Sequence, residues 1–595
     1  MIYVFARRLI VPALLKCKGS AFIAVLLLII TTISSTLLIE IGRATISLVR
    51  SGRDDVYRGG IAAFVGGDTQ YDVLLRLSII GLLLPTITWI GMYYRDIAFE
   101  RVALSVTKSV RISLFEHFIK LPYIKLVELE SGIAIKRIIN DTDQVRTLVI
   151  EAGLRRIADI FMVFCIIIYM AYLSIYLAIL SVVTIIAFFI IAYWSAGLAQ
   201  GRLRARDTSR DRLSARTSEA LTRLLDIRAS SKEAWEVDKF SSLAHSDENV
   251  SLDCVRWLLL DRSITGYIRS ISPIAILLIG SWAVLSGYVT IENLIVIIAA
   301  TSMLYGPIDA LSAVPITLRH VEVSAGNIIK IFDLQTEEYL HGMKYLSNNI
   351  SLSEIESQSS IISIRNVQFG YDSDRPNLII DSLDISKGDR IILVGPSGSG
   401  KSTFVRLLFG MLPNYTGNIY FNNKNINNIN IDEIRNNISY MSQESSLFNG
   451  TIRDNVAYGS ERPDLVSNND VIRALEIAGM SNDILSMPNG IETNIDSIGL
   501  NISTGQKRRI GLARAILRKP SLLILDEPFS NISPLERRSV AKAIMNIDSK
   551  VGILIISHDY EFIDSEYKLL MLEQCSEYKN QFALVEKQNS RDKIS

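Results

Sequence analysis

The chain has 595 residues, 49% of them hydrophobic, and its 62 Lys and Arg nearly cancel 61 Asp and Glu to leave a net charge of +1. That length provides for two or more domains with full cores, and with net charge near zero there is no overall basic excess and no nucleic-acid partner is expected. The apolar residues crowd into the part of the chain before about residue 312, which predicts a membrane domain followed by a soluble one. Four cysteines, Cys17, Cys165, Cys254 and Cys575, are scattered without metal-ligand spacing and read as packing or surface thiols.

Spanning a bilayer takes roughly 20 apolar residues. Six stretches meet that length, at 21–41, 73–94, 157–173, 175–194, 264–285 and 291–310. A short turn near 173–176 splits the third from the fourth, and Ser286-Gly287-Tyr288 splits the fifth from the sixth. The first stretch is too long for the apolar core of a cleavable signal and lacks a small-residue cleavage site. Lysine and arginine placement sets the orientation. Basic residues fill the N-terminus (Arg7, Arg8, Lys16, Lys18), the segment after span two and the segment after span four, where Arg202, Arg204, Arg206, Arg210, Arg212 and Arg216 lie. Neither short turn contains Lys or Arg, so both termini and both long loops are expected in the cytoplasm of a multi-pass inner-membrane protein. The loop after span one, with Arg43, Arg50, Arg53 and Arg58 beside Asp54, Asp55, Asp68 and Asp72, reads as a long mixed-charge outer loop. Glu40, Arg76, Asp159 and Arg269 lie in or near spans, where an ionisable group is a first candidate for substrate contact and solvent exposure is the plainer alternative.

A polar linker at 335–360 separates a membrane domain, 1–334, from a soluble domain, 361–595. Beyond the linker, short apolar runs alternate with helical patterns, as in an α/β domain with a parallel sheet. The Asn-rich stretch 421–431 is most economically a pair of polar turns around short strands. With the phosphate-loop pattern G-x-x-x-x-G-K-S at residues 395–402, the fold class is an all-α six-helix transmembrane domain followed by an α/β P-loop nucleotide-binding domain. Its central motif is Gly395-Pro396-Ser397-Gly398-Ser399-Gly400-Lys401-Ser402, which follows the apolar run Ile391-Ile392-Leu393-Val394. A buried strand, a glycine-rich turn and a helix start form a phosphate cradle, because glycines let backbone N–H groups converge on phosphate oxygens. Lys401 then reaches the β/γ-phosphates and Ser402 ligates Mg²⁺. Further on, Leu522-Leu523-Ile524-Leu525 ends in Asp526-Glu527. An acidic pair at a buried strand tip suits metal binding by the first carboxylate and general-base work by the second. Alone, such a pair is more often a helix cap.

Taken in order, these motifs resemble those of the ATP-binding cassette transporters, over roughly residues 20 to 585. The resemblance implies ATP and Mg²⁺ as cofactors and adds residues to the site. Tyr371, in Phe369-Gly370-Tyr371, looks like the aromatic that stacks on adenine, and the phosphate-binding set Gly395, Ser397, Gly398, Gly400, Lys401 and Ser402 extends to Thr403. Gln443 looks like the loop glutamine that senses Mg²⁺. Ser503-Thr504-Gly505-Gln506 stands where the family has its signature, so Ser503, Gly505 and Gln506 are implied to meet nucleotide across a dimer. His558, in Ser557-His558-Asp559, looks like the histidine that contacts the γ-phosphate. In the membrane half, Leu121-Pro122, Gly132 and Asn140-Asp141 look like the first cytoplasmic loop of the exporter type, and Gly306-Pro307-Ile308 like part of its last span pair. The resemblance therefore implies a half-transporter: an ATPase that drives export or flipping of a lipid, peptide or hydrophobic compound, surrounded by membrane lipid and working with a second half.

The sequence departs from the family pattern in three places. Thr504 replaces a glycine in the signature, Ser533 stands where an aspartate is usual, and Asp496-Ser497 lacks the usual Gly-Glu. If the backbone at Thr504 needs positive φ or a close approach to phosphate, a β-branched residue there brings strain of roughly 1–3 kcal/mol. Two assemblies remain open, a homodimer and a heterodimer with one degenerate ATP site. An ATP-gated channel or regulatory subunit is the alternative from a different class, disfavoured by the intact Glu527 and His558.

Overall fold

In the computed structural model of the chain, the described residues are 6–15, 17–50, 61–66, 69–129, 131–337, 360–371, 376–412, 414–443, 445–495, 502–530, 534–558, 567–574 and 581–587. Contacts divide the chain into two units, one of Met1–Ile119 and Ser131–Asp333, the other of Lys120–Glu130 and Leu334–Ser595.

The first unit is helical. Its long helices are α1 (Lys18–Arg50), α2 (Gln70–Ile119), α3 (Arg155–Leu173), α4 (Ile175–Thr222), α5 (Glu233–Leu285), α6 (Ile291–Ser312) and α7 (Val314–Phe332). Six helices among the described residues are long and apolar enough to cross a membrane, and they contain the six stretches read from the sequence. Ser174, extended at φ −163°, separates α3 from α4, and Gly287, at φ 77°, turns the chain between α5 and α6. Four of the helices run well past their apolar cores. Helix α4 continues through the arginine-rich segment to Thr222, and α5 starts at Glu233, because hydropathy marks only the part of a helix that lipid surrounds.

Lipid tails are as apolar as leucine, so close fit and interhelical hydrogen bonds hold such helices together. Helix α1 supplies a polar stripe, Thr31, Thr32, Ser34 and Ser35, all buried. The Thr88 hydroxyl of α2 donates to Ser34 Oγ at 2.8 Å. Between α3 and α6, Asn293 Nδ2 donates to the Leu173 carbonyl at 3.1 Å, and Phe188 of α4 meets Tyr305 of α6 edge to face, 5.3 Å between centroids. The candidate charges are partnered. Glu40 accepts from Arg43 at 2.6 Å and from the Tyr169 hydroxyl, Arg76 donates to the Val65 and Gly66 carbonyls, Asp159 pairs with Arg156 at 2.9 Å, and Arg269 pairs with Asp309 at 3.4 Å. Arg43 and Arg50 belong to α1 rather than to an outer loop, and Arg50 pairs with buried Glu292 at 2.7 Å. Residues 51–60, which include the other two loop arginines, lie outside the described residues. Asp141 is buried among Arg137, Ser324 and Asn327, tying the Asn140-Asp141 segment to α7.

The second unit is an α/β domain. Its ten-stranded sheet runs β5-β4-β1-β2-β12-β11-β3-β10-β9-β6. The strands are β1 (Ser360–Phe369), β2 (Leu378–Ser386), β3 (Arg390–Val394), β4 (Tyr415–Phe421), β5 (Lys424–Asn425), β6 (Ile438–Met441), β9 (Leu522–Asp526), β10 (Gly552–Ile556), β11 (Lys568–Gln574) and β12 (Phe582–Lys587), with β7 (Gly450–Thr451) and β8 (Asn494–Ile495) forming a separate pair. Strands β11, β3, β10, β9 and β6 are parallel, while β2, β1, β4 and β5 pair antiparallel at one edge. The parallel strands are nearly continuous aliphatic runs, as burial on both faces demands; Leu522, Leu523, Ile524 and Leu525 are fully buried. The Asn-rich segment is a turn through Asn422 and Asn423 between β4 and β5, followed by a 3₁₀ turn at Ile426–Asn428. The segment Lys120–Glu130 packs within this unit: Ile124 lies against its core, the Arg406 guanidinium stacks over Tyr123 at 5.0 Å, and Glu337 N–H donates to the Lys120 carbonyl at 2.8 Å.

One glycine in the antiparallel edge is under strict constraint. The β1–β4 register shifts between Arg365 and Gln368, where Asn366 has φ 49°. Gly417 opposite has φ 84°, and a Cβ there would lie 2.1 Å from the Asn366 carbonyl oxygen. That neighbour is backbone and cannot turn aside. Gly417→Ala is therefore expected to destabilise the second unit by roughly 2–3 kcal/mol. Scanning calorimetry of the full chain in detergent checks this, and an unchanged transition temperature refutes it.

Candidate functional site

Strand β3 lies between β11 and β10 and delivers the chain into the turn 395–400. Helix α8 (Lys401–Leu408) leaves that turn, with Gly400 at its N-terminus in the left-handed region at φ 97° and Gly398 at φ 80°. These conformations are open to glycine at no steric cost. A Cβ on Gly395 would lie 2.7 Å from Ser399 Oγ and 3.0 Å from Leu572 Cβ, so any larger residue there has to displace a neighbour. Ser399 Oγ is buried and lacks a hydrogen-bond partner, an unmet polar atom inside a loop shaped for phosphate. Ser397 and Ser402 are exposed, and Thr403 is buried. The Lys401 ammonium donates to the Gly395 carbonyl at 2.7 Å and the Pro396 carbonyl at 3.0 Å. Burial lowers its pKa from the usual lysine range, while Glu527 and Asp526 act in the opposite direction.

The acidic pair stands at the end of β9. The Asp526 carboxylate accepts from the Tyr440 hydroxyl at 2.7 Å. Burial raises its pKa, against the opposing pull of the Tyr440 hydrogen bond. Glu527 adopts φ 48°, unusual for a residue with a side chain. Its amide donates to the Ile556 carbonyl at 2.8 Å and its own carbonyl accepts from Ser530 N–H at 3.3 Å. The Glu527 carboxylate faces Gln443 Nε2 at 3.4 Å and His558 Nε2 at 3.2 Å. His558 Nε2 is also 3.4 Å from Lys401 Nζ. The fold thus gathers Lys401, Gln443, Asp526, Glu527 and His558 from four separate parts of the sequence. A partly buried carboxylate beside a histidine and an ammonium can take a proton from water next to a bound phosphate.

Tyr371 is exposed, held edge to face by Phe369 at 5.1 Å. Its hydroxyl meets Thr403 Oγ1 at 3.3 Å and accepts from Arg406 at 2.9 Å, leaving the ring free to receive a base. The signature residues have other company. Ser503 caps helix α9 (Thr504–Leu517) in a reciprocal box with Gln506, and Gln506 Nε2 donates to Asp483 at 2.8 Å. Thr504 is the first residue of that helix and does not have positive φ, so the strain that a positive φ would bring does not arise. The close approach is at buried Gly505, where a Cβ would meet the Glu536 carboxylate at 2.2 Å. Ser533 and the pair Asp496-Ser497 lie outside the described residues.

Arg406, Tyr440, Arg508 and Ser530 are contacts the sequence did not announce. Each touches a named site residue from an ordinary helix, strand or loop position, and nothing in the local sequence, where Arg508 sits among Gln506, Lys507 and Arg509, marks it as a contact. Ser402, Gln443 and Asp526 offer a hydroxyl, an amide oxygen and a carboxylate, hard oxygen donors that suit Mg²⁺ completed by phosphates and water. Among the described residues no group of three His, Cys, Asp or Glu could hold a metal ion by itself.

Comparison with known proteins bears on the whole chain. Residues 380–530 match the family model described as ABC transporter, and residues 21–308 match the ABC transporter transmembrane region. A Bacillus subtilis protein, "Putative multidrug export ATP-binding/permease protein YgaD", is 25% identical over 87% of this chain and 87% of its own length. The ATP-dependent lipid A-core flippase of Wigglesworthia glossinidia brevipalpis is 26% identical over 97% of this chain and 95% of its own. That of Syntrophus aciditrophicus is 25% identical over 88% and 84%. A solved bacterial Atm1-family ABC exporter with ATP bound has the same fold, with a TM-score of 0.77 at 22% identity over 95% of both chains.

Proposed function

Because this chain belongs to the ABC transporters, as an exporter-type half-transporter whose ATPase domain is coupled to transport, we propose that it works as a homodimer that exports or flips an amphiphilic substrate across a cytoplasmic membrane. The observation that carries this reading is the gathering of Lys401, Gln443, Asp526, Glu527 and His558 at one phosphate loop, in a chain that also has six membrane spans. The relatives' names favour a lipid or a hydrophobic compound as substrate. A homodimer is preferred to a pairing with one degenerate site because closed symmetric dimers are the commonest assembly.

In this mechanism the phosphate loop and Lys401 hold the nucleotide phosphates, Tyr371 stacks on the base, and Glu527 accepts a proton from the attacking water. His558 keeps the Glu527 carboxylate in place and donates toward the γ-phosphate. Ser402, Gln443 and Asp526 would hold Mg²⁺, which neutralises charge on the transferring phosphoryl group. Ser503, Gly505 and Gln506 present a helix N-terminus to the partner's nucleotide. ATP drives transport because it binds one arrangement of the dimer better than the other.

The test is reconstitution of the purified single chain in lipid vesicles, with ATPase activity and movement of labelled lipid or dye measured together. Turnover that rises with substrate, and flux that stops without ATP, are the expected results. No turnover without a second polypeptide rejects the homodimer, and flux independent of ATP favours a channel.

A further inference from the structure

We propose that Arg508 is a positioning residue for Glu527, locking the backbone of the general base to the helix that carries the signature. The inference rests on the reading of Glu527 as the base.

Arg508 and Arg509 are consecutive buried arginines on α9, and their surroundings differ. Arg509 has a carboxylate partner, Asp483 at 2.8 Å, and a second bond to the Gly479 carbonyl at 2.9 Å. Its role is accounted for as an ion pair within the helical part of the domain. Arg508 is 4% exposed, and among the described residues its guanidinium donates only to the loop after β9. Nη1 donates to the carbonyls of Glu527 and Pro528, each at 3.2 Å, and Nη2 donates to Ser530 Oγ at 2.8 Å. Ser530 Oγ in turn donates to the Glu527 carbonyl at 3.2 Å. Burying a cation costs desolvation, and burial lowers the Arg508 pKa while the charge of Glu527 acts in the opposite direction. The arrangement therefore needs a compensating purpose.

The conformation of Glu527 supplies one. A residue with a side chain persists at φ 48° only where its surroundings over-determine it. Here the amide is fixed by Ile556, and the carbonyl is fixed by Arg508, Ser530 Oγ and Ser530 N–H together. This left-handed turn directs the carboxylate to Gln443 and His558. With the carbonyl released, Glu527 can relax to negative φ and its side chain swings away from both. Arg508 sits on the helix capped by Ser503 and Gln506, so a shift of that helix N-terminus is passed to the Glu527 carbonyl. A signature engaged by nucleotide across the dimer would thereby help set the base of the chain's own site.

The test uses the full chain in vesicles, comparing Arg508→Met, Arg508→Lys, Ser530→Ala and Glu527→Gln. Arg508→Met is expected to lower kcat about 100-fold, the effect of displacing a catalytic group by an ångström or so. ATP affinity, read by equilibrium binding, stays at the wild-type value. Arg508→Lys, which still donates to carbonyls, recovers part of kcat. Adding Arg508→Met to Glu527→Gln gives no further loss, because both act through one group. Wild-type kcat in Arg508→Met, a matching loss of ATP affinity, or a further loss in the double variant each overturns the proposal. If Arg508→Met does not fold, wild-type kcat in both Arg508→Lys and Ser530→Ala overturns it, and a reduced kcat at unchanged affinity in either supports it. Full turnover in Glu527→Gln instead rejects the reading of Glu527 as the base, independently of what Arg508 does.

Discussion

Replacing Glu527 by glutamine is expected to reduce ATP hydrolysis by roughly 10³-fold, within the usual contribution of a positioned general base, while the protein still binds ATP. The amide has the shape of the carboxylate and keeps an oxygen toward His558, which stands 3.2 Å from Glu527 Oε1. The backbone that aims the side chain is untouched, since Ile556, Ser530 and Arg508 hold it through the Glu527 amide and carbonyl. Only the capacity to accept a proton is lost. The nucleotide-bound dimer should then accumulate, visible as labelled ATP that stays with the protein through gel filtration. Single-turnover hydrolysis within tenfold of the wild type would remove Glu527 as the base and leave His558, its neighbour, as the next candidate.

The site divides into residues that the sequence declares and residues that only the fold reveals. Gly395 to Ser402 is legible because the chemistry of a phosphate cradle fixes both the residue types and their spacing, and the apolar runs before it and before Asp526 identify buried parallel strands. The six spans are legible for a similar reason, since lipid imposes a minimum apolar length. What hydropathy cannot mark is where those helices end. Arg43 and Arg50 were expected in an outer loop, but they continue α1 because each finds a carboxylate, Glu40 or Glu292, that makes a charged helix end tolerable. The strain anticipated at Thr504 presumed a glycine-like backbone, whereas Ser503 caps the helix and places Thr504 in an ordinary first turn. Tyr440, Arg406 and Arg508 reach the site across large sequence separations, and no local pattern encodes such partners. The packing of Lys120–Glu130 within the second unit belongs to the same class.

Lys401→Met should give the opposite phenotype to Glu527→Gln: loss of nucleotide binding, with chemistry lost only as a consequence. The Lys401 ammonium lies at the mouth of the loop, held by the Gly395 and Pro396 carbonyls at 2.7 and 3.0 Å. Phosphate oxygens are better acceptors for a cation than carbonyls are, so nucleotide draws the ammonium from these two bonds into charge-assisted ones. Methionine preserves the aliphatic length and the packing of α8 but has no donor. A hydrogen bond to a charged group contributes about 1.5–3 kcal/mol, so losing two weakens ATP binding by at least about 100-fold. Stability should change by no more than about 1–3 kcal/mol, the cost of leaving the part-buried Gly395 carbonyl without its donor, since water can replace the lysine at the exposed Pro396 carbonyl. Fluorescent-nucleotide titration and thermal unfolding of the same preparation separate these effects. ATP affinity within threefold of wild type, far inside the tenfold that 1.4 kcal/mol represents, would rule out Lys401 as the phosphate anchor. Affinity lost together with destabilisation greater than about 3 kcal/mol would make it a structural lysine. Because Lys401→Met leaves Glu527 and His558 in place and Glu527→Gln leaves Lys401 in place, the two variants separate capture of the phosphates from attack on them, and each serves as the control for the other.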